Sequence, residues 1–235
     1  MGGRGVTTSP PTTGRRSRLV PVRQPEASPR TETVRRERLG VLGGTFDPPH
    51  LGHLWLATTA ADEMDLSKVL LVPAANPPHK RRRAISHAAD RVLMSRLAVA
   101  NDPRLDVSLV ELEREGPSYT VDTLVELGRR HPDVDLVLIM AADSLAQVHS
   151  WRDPDRLLEL AIWAVGPRPG ITLPTRAELA TRWGKAASRI HLLGGPALDI
   201  SASLIRRRVA ADRAIRYLVP RAVEELIIDR RLYRR

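Results

Sequence analysis

Short apolar runs alternate with longer amphipathic stretches along most of the chain. The runs are too short for buried helices, and we expect them to form buried strands. The predicted strands are residues 39–42, 69–72 and 134–140, with weaker candidates at 162–165 and 190–193. Helical spacing follows His53, recurs at 90–100 and near Ser144, and returns at 201–211 and 220–230. This alternation predicts an α/β fold, a doubly wound and mostly parallel sheet, with a C-terminal helical segment.

The first 38 residues lack any periodic apolar pattern. They are rich in Gly, Pro, Ser, Thr and Arg, and such a segment cannot bury enough apolar surface to offset the entropy of ordering. We predict a disordered basic extension over 1–38 and one domain over 39–235. The Arg- and Ser-rich, acid-poor composition is also that of a transit peptide. A solvated extension and a start codon placed too far upstream are the plainer interpretations.

Charge and cysteine content narrow the class of protein. The net charge is +10, which by itself suggests a polyanionic partner. The excess lies at the two ends, with nine arginines against three glutamates in 1–38 and ten arginines against four acids in 204–235, so the middle is slightly acidic. The chain has no cysteine, which excludes disulfides, thiolate metal sites and a cysteine nucleophile and fits a reducing compartment. The apolar runs fall well short of a membrane span.

The residues between the first predicted strand and the first predicted helix carry the strongest chemical signal. They read G-G-T-F-D-P-P-H-L-G-H from Gly43 to His53. In an open parallel sheet this is where ligands bind, and the start of a helix favours an anion. His50 and His53 would lie close together beside a bound phosphate chain and stabilise charge on its oxygens. Metal ligation and a purely structural role for the pair are the alternatives.

This stretch resembles the signature of the H-x-G-H nucleotidyltransferases, and more narrowly that of the bacterial nicotinate-nucleotide adenylyltransferases. Further segments in the family's order carry the resemblance, which covers about 39–233: N-P-P-H-K at 76–80, S-Y-T-V-D-T-L at 118–124, I-M-A-A-D-S-L at 139–145, S-W at 150–151 and I-S-A-S-L-I-R at 200–206. Ala141 stands where the family usually has glycine. The resemblance implies a cytoplasmic enzyme that transfers the adenylyl group of ATP to nicotinate mononucleotide, giving deamido-NAD and pyrophosphate.

The resemblance also implies which residues form the site. The catalytic residues would be His50, His53, Lys80 and Arg206. ATP would contact both histidines and Arg206 together with Gly43, Gly44, Thr45, Phe46, Ser201 and Ser203. The mononucleotide would contact Thr120, Asp143 and Trp151.

Several expectations about ligands follow. We expect Mg²⁺ to be carried by the substrate phosphates, with no metal ligand from the protein, and Asp47 to shape the turn or to reach the metal through water. The expected partners are ATP and nicotinate mononucleotide, with no membrane and no specific nucleic acid. Homo-oligomer formation is left open. The alternatives are an adenylyltransferase for nicotinamide mononucleotide or phosphopantetheine, and a basic nucleic-acid-binding protein.

Overall fold

A computed structural model describes residues 1–2, 36–76 and 85–234. Most of the predicted N-terminal extension lies outside the described residues, and so does Lys80. The first strand begins at Glu37, two residues before the predicted start of the domain. Glu37 and Arg38 pair with Val134 and Asp135 of a neighbouring strand, and backbone pairing of this kind does not require apolar side chains.

A six-stranded parallel sheet forms the centre of the described fold. Its strands lie in the order β3-β2-β1-β4-β5-β6. They are β1 (Glu37–Gly44), β2 (Lys68–Pro73), β3 (Leu105–Val107), β4 (Val134–Ala141), β5 (Ile162–Gly166) and β6 (Ile190–Leu192). The order reverses between β1 and β4, which is the doubly wound arrangement and confirms the predicted fold class.

Eight α-helices surround the sheet or follow it within the described ranges. They are α1 (Leu51–Met64), α2 (Ala88–Val99), α3 (Thr120–Arg130), α4 (Ala142–Gln147), α5 (Pro154–Leu160), α6 (Arg176–Trp183), α7 (Ala202–Ala210) and α8 (Arg221–Asp229). Short 3-10 helices span Val148–Ser150 and Gly184–Arg189. None of the helices that the structure describes is long and apolar enough to cross a membrane.

Apolar residues fill both faces of the sheet because successive strand residues point to opposite sides. In β4, Leu136, Leu138 and Met140 face one buried cluster, and Val137 and Ile139 face the other. A third cluster joins α2, α7 and α8 through buried residues that include Met94, Ile205, Val223 and Ile227. This third cluster fixes α7, and therefore the basic residue that follows Ile205, against the rest of the domain.

Candidate active site

A cavity of about 730 Å³ opens at the carboxyl ends of β1, β4 and β5. This is the edge of an open parallel sheet at which ligands bind. All the predicted site residues that the structure describes line it: Gly43, Gly44, Thr45, Phe46, His50, His53, Thr120, Asp143, Trp151, Ser201, Ser203 and Arg206. Residues predicted from five separate segments are therefore brought together around one space.

The two histidines at the start of α1 stack on each other. Their ring centroids are 3.7 Å apart, with 23° between the planes. The His53 Nδ1 accepts a hydrogen bond from the backbone N–H of His50 at 3.2 Å. A neutral His53 then carries its proton on Nε2, as a donor on a ring that lines the cavity. Phe46 supports the His53 ring edge-on, at 5.0 Å between centroids.

Gly52 makes this stacked arrangement possible. A Cβ atom at Gly52 would lie 3.1 Å from the His50 Nδ1 and 3.2 Å from its Cε1. Both distances are shorter than ordinary van der Waals contact, so a side chain here would displace the His50 ring. The absence of a side chain at Gly52 therefore leaves room for the His50 ring.

Burial sets the charge of His50. The side chain is only 4% exposed, and desolvation, with a smaller contribution from the positive charge of Arg168, lowers its pKa from 6.5 to about 4. His50 is therefore neutral near pH 7 in the free protein. Its Nδ1 has no hydrogen-bond partner among the described residues. A neutral His50 offers a hydrogen bond to phosphate oxygens and no positive charge.

Lowering the pH from 7 to 5 is expected to weaken folding through His50 by about 2 kcal/mol. The unfolded histidine binds a proton near pH 6.5, and the folded one only near pH 4. Stability from the neutral ring is therefore fully present above pH 6.5 and lost as the pH falls towards 4. Urea unfolding of the wild type and of His50→Gln at both pH values isolates this contribution, since the carboxyl groups titrate in both. Equal losses in the two proteins would contradict it.

Arg206 on α7 is bound to the loop that precedes α1. Its Nη1 donates to the backbone carbonyl of Asp47 at 2.6 Å, and its Nη2 donates to the Ser203 Oγ at 3.3 Å. Ser201 is the N-cap of α7, and its Oγ accepts from the N–H of Leu204. The two predicted hydroxyls therefore differ in role, because Ser201 caps the helix and Ser203 orients the guanidinium.

A network of hydrogen bonds around the buried Asp47 side chain also holds this loop. Asp47 is 3% exposed, and its Oδ1 accepts a hydrogen bond from the Tyr233 hydroxyl at 2.8 Å. The Asp47 Oδ2 accepts from the Ser86 N–H at 3.4 Å. Burial, reinforced by the Asp47 carboxylate, raises the pKa of Tyr233, which keeps the phenol protonated as a donor. Arg91 donates to the carbonyl of Thr45 at 2.9 Å and to that of Ser86 at 3.2 Å.

The geometry disfavours metal binding by the histidine pair. Nearly parallel rings 3.7 Å apart direct their lone pairs along parallel planes, so one ion cannot lie in both planes at bonding distance. The His53 Nδ1 is also already an acceptor. In the part of the chain that the structure describes, no group of three or more His, Asp or Glu residues is arranged to hold a metal ion.

Comparison with known proteins agrees with this architecture. Residues 41–208 match the cytidylyltransferase-like family. The solved structure of Plasmodium falciparum nicotinic acid mononucleotide adenylyltransferase complexed with NaAD has a TM-score of 0.68 at 17% identity, covering 84% of this chain and 97% of that one. At that identity the likeness concerns the fold.

Sequence relatives are much more similar. A Thermomicrobium roseum protein named probable nicotinate-nucleotide adenylyltransferase is 46% identical over 197 residues, which cover 84% of this chain and 92% of the relative. A Corynebacterium kroppenstedtii protein of the same name is 42% identical over 196 residues, covering 83% and 90%. The chain belongs to the nicotinate-nucleotide adenylyltransferase family. It is a nucleotidyltransferase, as the motif resemblance implied.

Part of the cavity lies around the start of α3. Tyr119 is the N-cap of this helix and makes no side-chain capping bond, and Thr120 is the first helical residue. The Ser118 Oγ accepts from the N–H groups of Ala75 and Asn76, at 2.9 and 3.1 Å. The helix start is thereby tied to the loop after β2. Asp122 lies in the first turn of α3, where its negative charge is favourable to the helix dipole.

Asp143 and Trp151 also line the cavity. Asp143 is the second residue of α4, two positions after the end of β4, and its side chain is 44% exposed. Trp151 follows the 3-10 helix Val148–Ser150, packs partly against the core, and lines the cavity. Ala141 ends β4 and also lines the cavity, so its methyl group lies where the family usually has glycine.

Three residues of the cavity lining or of the network that supports it were not predicted from the sequence: Arg168, Glu111 and Tyr233. Arg168 lines the cavity, and its Nε lies 3.7 Å from the Asp143 Oδ2. It lies just beyond the carboxyl end of β5. Ligands bind at this edge of an open parallel sheet, so the position of Arg168 is a signal of the same kind as that of Asp143. Glu111 also lines the cavity, is 7% exposed, and accepts a hydrogen bond from the Thr123 hydroxyl at 2.7 Å. Neither Glu111 nor Tyr233 has a local sequence signal.

Proposed function

We propose that this chain transfers the adenylyl group of ATP to the 5′-phosphate of nicotinate mononucleotide, forming deamido-NAD and pyrophosphate in NAD biosynthesis. The observation that carries the proposal is that one cavity is lined by both sets of predicted residues. We call the lining by the histidine pair and Arg206 the first half of the cavity, and the lining by Thr120, Asp143 and Trp151 the second half. The relatives' name supports the same acceptor.

The first half of the cavity suits a triphosphate. The N-terminus of α1 favours an anion through its dipole and its free N–H groups. His53 has its Nε2 as donor, while Arg206 adds a fixed positive charge beside Ser203. Gly43 has open space where a Cβ would stand, which lets the backbone lie close to a bound nucleotide. We assign the ATP phosphates to this half, with Lys80 as a further contact.

The second half suits a pyridine nucleotide. The indole of Trp151 offers a face for ring stacking, and the uncapped start of α3 near Thr120 can bind the carboxylate on that ring. Asp143 can accept hydrogen bonds from the ribose hydroxyls. We assign Arg168, which lies beside Asp143, to the mononucleotide phosphate because that phosphate must meet the triphosphate between the two halves.

The proposed reaction is a direct in-line displacement. An oxygen of the mononucleotide 5′-phosphate attacks the α-phosphorus of ATP, and the bond from that phosphorus to the oxygen bridging the β-phosphate breaks. Pyrophosphate leaves with the bonding electrons. The nucleophile is already an anion near neutral pH, so no strong base is required. The chain contributes positioning and charge stabilisation through His53, His50 and Arg206.

The donor set fits a metal carried by the substrates. Both carboxylate oxygens of Asp47 are engaged, by Tyr233 and by Ser86, which favours the turn-shaping role over contact with a metal. We propose that Mg²⁺ binds mainly through phosphate oxygens and water, where it would neutralise phosphate charge. We also place the reaction in the cytoplasm, where ATP is available.

Pyrophosphate release tests the proposed function. The full chain is incubated with ATP, Mg²⁺ and one acceptor at a time: nicotinate mononucleotide, nicotinamide mononucleotide or phosphopantetheine. We expect release with nicotinate mononucleotide, together with deamido-NAD detected by mass. Release only with phosphopantetheine, or with none of the three acceptors, would overturn the proposal. A salt-sensitive affinity for DNA or RNA without any such release would favour the nucleic-acid alternative.

Replacing Trp151 by alanine is expected to raise the KM for nicotinate mononucleotide about tenfold and to change the KM for ATP little, because a stacking surface for the pyridine ring is lost. Initial rates measured with each substrate varied in turn provide both constants. Trp183→Ala is the matched control, since Trp183 stacks edge-on to Trp163 and lies outside the cavity-lining residues. Equal increases in both KM values for Trp151→Ala would show that Trp151 acts only in packing.

A further inference from the structure

Arg152 lines the cavity, and its guanidinium lies over an aromatic ring. It follows Trp151 directly and lines the same cavity. Its guanidinium carbon lies 4.9 Å from the centroid of the Tyr119 ring. Tyr119 is the N-cap of α3, so the guanidinium lies beside the helix start that we assign to the pyridine ring.

Stacking leaves the hydrogen-bonding edge of this guanidinium available. A guanidinium on an aromatic face uses its π surface, and its N–H donors point outward in its own plane. Of the residues that the structure describes, three arginines line the cavity: Arg152, Arg168 and Arg206. Arg168 lies near Asp143 and Arg206 near Asp47, whereas none of the ion pairs formed among residues 36–76 and 85–234 includes Arg152. Its positive charge is therefore available to a ligand.

The two candidate acceptors, nicotinate mononucleotide and nicotinamide mononucleotide, differ in one group on the pyridine ring. They share the ring, the ribose and the phosphate, and only one carries a carboxylate on the ring. A carboxylate accepts two parallel hydrogen bonds from a guanidinium. A carboxamide offers one oxygen and an NH₂ group that cannot accept from it. We propose that Arg152 is a specificity-determining residue that makes this chain prefer nicotinate over nicotinamide mononucleotide, which deepens the proposed function and rests on it.

The test compares both acceptors in wild type and Arg152→Met. For nicotinate mononucleotide we expect kcat/KM to fall about tenfold. This loss is at the lower end of the range for a hydrogen bond to a charged group, because Arg152 is exposed to solvent. For nicotinamide mononucleotide, kcat/KM should change by less than about twofold, because the carboxamide does not pair with the guanidinium charge. The KM for ATP should also change by less than about twofold, because ATP is not assigned to Arg152. Arg152→Lys keeps the charge without the planar fork and should retain part of the preference.

Arg156→Met is the matched control. Arg156 lies four residues further along, on α5, is exposed, and is absent from the cavity lining. Its replacement removes the same charge and should leave the acceptor ratio unchanged. Melting temperatures of all variants show whether each is folded, and Arg152→Lys provides the comparison if Arg152→Met does not fold.

Two results would overturn the assignment of Arg152. An equal fall with both acceptors would mean that Arg152 contacts the shared phosphate or only supports packing. An unchanged ratio, or the same change in Arg156→Met, would mean that no specific pairing with the ring carboxylate exists. Failure of the proposed function is distinguishable, because the wild type itself would then release no pyrophosphate with nicotinate mononucleotide.

Discussion

His53→Ala is expected to lower kcat about 10²- to 10³-fold, the usual loss when a preorganised donor to a developing negative charge is removed. The His53 Nδ1 is occupied by the backbone N–H of His50, which directs the remaining proton to Nε2. Alanine removes both the donor and the acceptor. The ring also stacks on His50 and contacts Phe46, so a modest fall in melting temperature should accompany the loss of turnover.

A second variant at this position separates catalysis from helix capping. In His53→Asn the side-chain oxygen can replace the Nδ1 as acceptor for the His50 N–H, while the distant Nε2 donor is lost. We expect kcat to stay low and the melting temperature to return towards that of the wild type. His131→Ala is the control, since His131 is exposed and lies outside the cavity-lining residues. Turnover near the wild-type value in a folded His53→Ala protein would remove His53 from the mechanism.

Arg206→Ala is expected to lower kcat about 10²-fold and to raise the KM for ATP, measured from initial rates at saturating mononucleotide. The guanidinium supplies charge beside the helix start that we propose as the phosphate site, and it also ties α7 to the Asp47 carbonyl. Both functions are lost in alanine. Arg206→Lys retains the charge but cannot reach Asp47 and Ser203 with one planar fork, so it should recover only part of the activity.

Arg207→Ala is the matched control for bulk charge. Arg207 is the next residue on α7, is exposed, and does not line the cavity. Its replacement should leave kcat and both KM values close to those of the wild type. If Arg207→Ala and Arg206→Ala lose the same activity, the effect comes from net charge and the specific role of Arg206 is contradicted.

Most of the sheet could be predicted because buried parallel strands are continuous apolar runs. Residues 134–140 and 69–72 follow this rule, and β4 and β2 extend them by only one or two residues. β3 was missed because it has three residues with an exposed Asp106 at its centre. α6 was missed although Thr175 and Glu178 form a capping box. Pro220 was predicted in the first turn of α8, whereas it is the N-cap, and its fixed φ suits that position as well.

Parts of the candidate site could also be predicted, because the residues concerned lie close together in the sequence. Strand, glycine loop and helix start follow one another within Gly43–His53, and the three-residue spacing of the histidines brings them to one turn. The mutual stacking, the burial of His50 and its lowered pKa needed the surrounding structure. The lowered pKa of His50 comes mainly from burial and to a smaller extent from the charge of Arg168, which is distant in sequence.

By itself, the sequence determined the sheet class and the position of the candidate phosphate-binding loop, because each depends on periodicity or spacing within a few residues. The other segments of the site were indicated only by their resemblance to a known family. Only the tertiary structure decided which groups hold those segments in place. The Tyr233 hydroxyl binds Asp47 across 186 residues of chain, and Arg206 reaches the Asp47 carbonyl across 159. Such contacts form where packed helices and strands bring distant residues together, and no local pattern encodes that meeting.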